Sequence, residues 1–143
     1  MVQKSVGRYS LSKTLLGSGG YGHVLSARDV ASGELLAVKV IETKEKSQES
    51  AVAHEVGLMK ELAHPNIIGL RGFEVIGRDN YIFMELAAHG ELFVRVLAHG
   101  NLSERDGRCF FAQIMSAVQF MHGKGIVHRD LKLVRIHTTL CSR

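Results

Sequence analysis

Between Tyr9 and Glu42 the sequence offers three strand-like runs, Tyr9 to Leu16, His23 to Val30 and Leu35 to Glu42, with only short connections between them. A parallel pair needs a crossover of about a dozen or more residues, and these links are too short for one. The runs must therefore pair antiparallel, the first link being a glycine cluster and the second an Ala31-Ser32-Gly33 turn. Two further runs, Ile67 to Ile76 and Tyr81 to Leu86, are joined by Gly77-Arg78-Asp79-Asn80 and read as a hairpin that completes a five-stranded sheet.

From Ser47 the apolar period changes. Val52, Val56, Met59, Leu62 and Ala63 fall on one helical face until His64-Pro65-Asn66 ends the run. After a turn at His89-Gly90, a short helix is expected over Glu91 to Ala98 and a longer one from Ser103 to His122. Ser103 followed by Asp106 is a capping start, and Phe110, Phe111, Ile114, Ala117, Val118 and Met121 form an apolar stripe in need of a neighbour. Strands first and helices afterwards make the chain α+β.

Composition narrows the function. With 45% apolar and 22% charged residues the 143-residue chain is globular, and no run approaches the roughly 18 apolar residues of a membrane span. The N-terminal MVQKSVGRYS has no apolar signal core, and Val2 stands where myristoylation needs glycine, so an intracellular, cytoplasmic protein without membrane attachment is expected. A net charge of +4 without a clustered basic face argues against nucleic-acid binding. Cys109 and Cys141 are too far apart for a CxxC pair and are expected as free thiols. His54-Glu55 fails the HExxH pattern because position 58 is Leu58, and no set of metal ligands emerges.

The glycine cluster GSGGYGHV places Gly17, Gly19 and Gly22 in G-x-G-x-x-G spacing, which lets backbone N–H groups approach phosphate oxygens. Taken alone it is equally a flexible hairpin turn. A dinucleotide-binding fingerprint also competes, since Glu42 ends a later strand at the interval of a ribose-binding carboxylate. Ser10, Ser12, Lys13 and Thr14 make the preceding strand half exposed, whereas that fingerprint wants a buried one.

Alternation puts Ala37, Lys39 and Ile41 on one face of their strand, and helical spacing puts Glu55 between Leu62 and Met59 on the apolar face of the helix. Either charge is costly to bury alone, and pairing Lys39 with Glu55 offsets both costs. A snorkelling lysine and a glutamate at the stripe's edge would account for the same pattern.

Taken together and in order, GSGGYGHV, Ala37-Val38-Lys39, Glu55, His64-Pro65-Asn66, the segment MELAAHGEL from Met84 to Leu92 and His128-Arg129-Asp130-Leu131-Lys132 resemble the protein kinase family. The resemblance covers Tyr9 to Lys132. It implies a kinase-like α+β fold: a small antiparallel-sheet lobe with one helix over residues 9–87, the start of a large helical lobe over 88–132, and a divergent tail over 133–143. It also implies ATP as bound substrate, with the glycine loop over the phosphates and Tyr21 at its tip. Val24 and Ala37 would enclose the adenine, and Lys39, positioned by Glu55, would hold the α- and β-phosphates. Met84 would be the gatekeeper, the backbones of Glu85 and Ala87 would bond the adenine edge, and Glu91 would contact the ribose. Asp130 would orient the substrate hydroxyl and Lys132 would neutralise charge on the transferred phosphate. Lys132 resembles the serine/threonine branch, so the implied partners are proteins carrying Ser or Thr; HGELF is similar to calcium/calmodulin-dependent-type kinases.

The family pattern then breaks. Three residues after Lys132 the family has an asparagine that ligates Mg2+, and this chain has Arg135, which has no acceptor and brings positive charge. No DFG occurs up to Arg143. Mg2+ is expected for the family while its usual ligands are missing, so transfer of the γ-phosphate by this chain alone is expected to be impaired. The abrupt change after Lys132 suggests a kinase sequence altered by an exon or frame change. The alternative is a non-catalytic nucleotide-binding pseudokinase or interaction module.

Overall fold

The computed structural model describes residues 4–19, 22–87, 90–133 and 136. Tyr21, His89, Arg135 and Cys141, all named above, lie outside the described residues. Contacts divide the chain into two compact units, one of residues up to Ala63 together with Ile68–Leu86, the other of His64–Ile67 together with residues from Ala87 onward.

The first unit is an antiparallel sheet with one helix. Its strands are β1 (Lys4–Val6), β2 (Tyr9–Gly19), β3 (Gly22–Asp29), β4 (Leu35–Glu42), β5 (Leu70–Ile76) and β6 (Asp79–Glu85), in the spatial order β1-β2-β3-β4-β6-β5. Five strands were expected; the sixth, β1, is three residues long and pairs Val6 with Tyr9 across Gly7-Arg8. Gly7 has φ 55°, as the first central residue of a two-residue hairpin loop requires. The β5–β6 loop repeats the device with Gly77-Arg78, Gly77 at φ 62° and Ile76 opposite Asp79. The strand expected from Ile67 starts only at Leu70. Ile67 instead donates back to the His64 carbonyl at 3.0 Å, within the segment that belongs to the other unit.

Strand alternation gives the sheet two apolar faces. On one, Val6, Tyr9, Leu11, Leu36, Val38, Val40, Tyr81 and Phe83 form a buried cluster, with the Tyr9 and Phe83 rings stacked at 3.7 Å. On the other, helix α1 (Lys46–Glu61) sets Val52 and Val56 against Ile82, with Ile41, Met59, Leu70, Phe73 and Met84 around them. The helix starts at the N-cap Glu45, whose N–H donates to Gln48 Oε1 at 3.3 Å as one arm of a capping box.

The second unit contains α2 (Leu92–His99) and α3 (Glu104–Gly123). Ser103 caps α3, its hydroxyl accepting the Asp106 N–H at 3.1 Å. Phe110, Ala117 and Met121 are the buried residues of α3, while Phe111, expected in the same stripe, is 64% exposed. Arg95 of α2 links the two helices, its guanidinium 5.7 Å over the Phe110 ring and 3.8 Å from the Asp106 carboxylate. Cys109 is disulfide-bonded, and no described cysteine is a free thiol, which corrects the expectation of free thiols. Among the described residues no helix is long and apolar enough to cross a membrane.

Candidate functional site

The sequence-named residues of the sheet unit meet on its α1 face. Antiparallel register sets Val24 opposite Lys39, Lys39 opposite Ile82, Ser26 opposite Ala37 and Ala37 opposite Met84. Directly opposed residues share a face. Val24, Ala37, Lys39 and Met84 therefore share one face, Val24 and Lys39 toward the glycine end of the sheet and Ala37 and Met84 toward the end where β6 finishes.

Lys39 Nζ lies 2.8 Å from Glu55 Oε1, so strand β4 and helix α1 are joined by a charge-assisted hydrogen bond. The pair is less buried than the helical spacing implied: the Lys39 side chain is 25% exposed and that of Glu55 44%. Leu62 leaves the helix as its C-cap, at φ −99° and ψ 63°. The stripe that would flank Glu55 on its far side thus stops at Met59, and Glu55 becomes an edge residue. The ammonium is accordingly tethered at one point and accessible elsewhere, an arrangement in which it can still approach an anion.

The three glycines differ. Gly22 has φ 122°, and a Cβ there would stand 2.1 Å from the Val40 carbonyl oxygen, so the fold itself demands glycine. At Gly17 and Gly19 an added Cβ would meet nothing within 4 Å. Packing does not explain glycine at those two positions, whereas close approach of a ligand to the backbone would. Glu85 ends β6, its N–H donating to the Gly69 carbonyl at 3.0 Å.

In the helical unit, Ala87 accepts the Gly90 N–H through its carbonyl at 3.2 Å. Glu91 is the N-cap of α2 rather than its first helical residue, and the next N–H, that of Leu92, donates to the Ile136 carbonyl at 2.7 Å. Arg129 takes the left-handed conformation at φ 61°, sparsely used by residues other than glycine. The turn accompanies a bond from the Asp130 N–H to His128 Nδ1 at 3.3 Å. Lys132 Nζ is 3.3 Å from Asp130 Oδ2, both side chains being about half exposed. Asp130 and Lys132 are thus together in one unit, and Lys39 with Glu55 in the other.

A divalent ion does not fit the described donors. No three His, Cys, Asp or Glu residues gather among the described residues, and the Asp130 carboxylate is already paired with an ammonium. In sequence, Arg135 offers no lone pair at the position where the family carries its asparagine ligand.

A family model described as the protein kinase domain matches residues 10–136. Among curated relatives, CBL-interacting serine/threonine-protein kinase 7 of Arabidopsis thaliana is 41% identical over 131 residues, spanning 89% of this chain and 30% of its own. The putative CBL-interacting protein kinase 27 of Oryza sativa subsp. japonica is 39% identical over 130 residues, spanning 88% of this chain and 32% of its own. The crystal structure of Rad53 in complex with AMP-PNP superposes with a TM-score of 0.79 at 34% identity, covering 89% of this chain and 33% of that one. The chain belongs to the protein kinase domain family and has the kinase-like α+β fold. It spans about a third of the length of these relatives.

Proposed function

We propose that this chain is the nucleotide-binding portion of a serine/threonine protein kinase, with residues 9–87 as the ATP-binding lobe and 88–132 as the start of the substrate-binding lobe. The observation that carries this reading is the Lys39–Glu55 bond at 2.8 Å, beside glycines whose identity packing does not explain. Lys39 holds the α- and β-phosphates, Glu55 aims it, Val24 and Ala37 enclose the adenine with Met84 behind it, and the glycine loop from Gly17 to Gly22 covers the phosphates. Rad53, the structural relative, was crystallised with the nucleotide analogue AMP-PNP, which supports the same occupant here. In the whole kinase Asp130 orients the Ser or Thr hydroxyl, Lys132 stabilises charge on the moving phosphate, and Glu91 contacts the ribose.

The described donors do not fit magnesium. The expected behaviour is metal-independent, weak ATP binding, which calorimetric titration with and without Mg2+ checks. Lys39→Ala should weaken it further, and clear tightening by Mg2+ would show that another ligand set has replaced the missing one.

The mismatch at Arg135 favours a second reading, a nucleotide-binding module without catalysis. Radiolabelled phosphate transfer separates the two: activity of the purified chain that disappears in Asp130→Asn defeats the second reading.

A further inference from the structure

The sheet unit carries a charge cluster in which Glu85, from the MELAAHGEL segment, is joined through Arg71 to Glu34, two residues that lie outside the kinase-like motifs. Glu85 closes a ring with Gly69, its N–H donating to the Gly69 carbonyl at 3.0 Å and its Oε2 accepting the Gly69 N–H at 3.0 Å. The other carboxylate oxygen, Oε1, takes Arg71 Nη2 at 2.5 Å. Arg71 Nε donates at the same time to Glu34 Oε1 at 3.1 Å, so one guanidinium joins β5, the end of β6 and the connection leading into β4.

Two further features show that the cluster is built into the fold. A Cβ at position 69 would lie 3.1 Å from the Glu85 carboxylate and 3.2 Å from Arg71 Nη1, so a side chain there would press on both charged ends, which would have to shift by a few tenths of an ångström. The β5–β6 register shifts between Leu70 and Gly72, and Tyr9 Oη donates to the Arg71 carbonyl at 3.0 Å, which fixes the irregular strand where Arg71 leaves it.

We propose that Arg71 is a positioning residue for the nucleobase: by holding the Glu85 carboxylate on Gly69 and tying it to Glu34, it fixes the orientation of the Glu85 backbone that reads the adenine edge. This rests on the kinase reading given above. The three side chains are each about two-fifths exposed, so as isolated ion pairs they would contribute little to stability. The effect is geometric. A planar fork bonded to two carboxylates restricts rotation where a single point charge would not, and hydrogen bonds to a base edge weaken steeply with misalignment. A site that pairs with one base edge rejects another because its polar groups are then left unpaired.

The test uses the full chain with Arg71→Ala, Arg71→Lys and Gly69→Ala, the last of which displaces the clamp without removing a charge. Amide hydrogen exchange at Gly69 and Glu85, with Val38 and Val40 as core references, reads the hold on the backbone; titrations with ATP and GTP read its use. Arg71→Ala and Gly69→Ala should each speed exchange at the two amides and leave the references unchanged, with Arg71→Lys between them and the wild type. ATP affinity should fall about 3- to 10-fold, the equivalent of one hydrogen bond, and GTP affinity by less. Wild-type exchange in both disruptive variants would overturn the hold on Glu85. Faster exchange with an unchanged ATP-to-GTP ratio would overturn its role at the nucleobase. A wild-type chain that binds neither nucleotide would defeat the kinase reading and the nucleobase role with it, while the exchange measurement still decides the clamp.

Discussion

In the sheet unit Val38, Leu36 and Phe83 are fully buried, and the sheet's opposite face is covered by Val52 and Val56 of α1. In the helical unit the apolar positions divide: Phe110 and Met121 are buried, while Phe111 is 64% exposed and Met115 46%. Both units have sequences patterned for burial. Apolar periodicity states which face seeks a neighbour, and only the surrounding elements decide whether one is found. The sheet unit should accordingly be sensitive to single truncations, and the exposed side of α3 insensitive in stability but decisive for association.

The largest expected effect lies on the sheet side. Phe83→Ala removes a ring stacked on Tyr9 and should destabilise the unit by about 3–5 kcal/mol in denaturant titration; a loss as small as that of a surface substitution would break the contrast between units. Ser103→Ala removes the α3 cap and should cost about 1 kcal/mol, visible as lost helical signal at the α3 N-terminus on heating. Phe111→Ser should change stability by no more than about 0.5 kcal/mol while raising solubility, measured as the concentration at which light scattering begins. A large destabilisation there would mean that Phe111 is packed.

Much of this was legible in the sequence because it depends on local periodicity. Strands β2, β3, β4 and β6, both later helices to within a residue or two, and the Ser103 cap follow from alternation, helical spacing and turn residues. Strand β1 escaped because three residues show too little alternation, although Val6-Gly7-Arg8-Tyr9 carries the same loop signal as Ile76-Gly77-Arg78-Asp79. The start of β5 was misplaced because His64–Ile67 groups with the other unit rather than with the sheet, which no strand pattern reveals.

At the site, the Lys39–Glu55 contact was legible because each residue interrupts an apolar face; its partial exposure was not, since that depends on where α1 ends. The Arg71, Glu34 and Glu85 cluster left no trace in spacing. Its members sit on β5, at the end of β6 and in the connection before β4, and meet beside the register shift between Leu70 and Gly72.

The central claim is that Lys39 and Glu55 act as one device on a nucleotide phosphate. Metal-free ATP titration of Lys39→Ala, Glu55→Gln and the double variant tests it as a thermodynamic cycle. Glu55 acting only by aiming Lys39 predicts that the double variant binds ATP no more weakly than Lys39→Ala alone. Losses that add independently would contradict the account, because Lys39 and Glu55 would then serve the nucleotide separately or not at all.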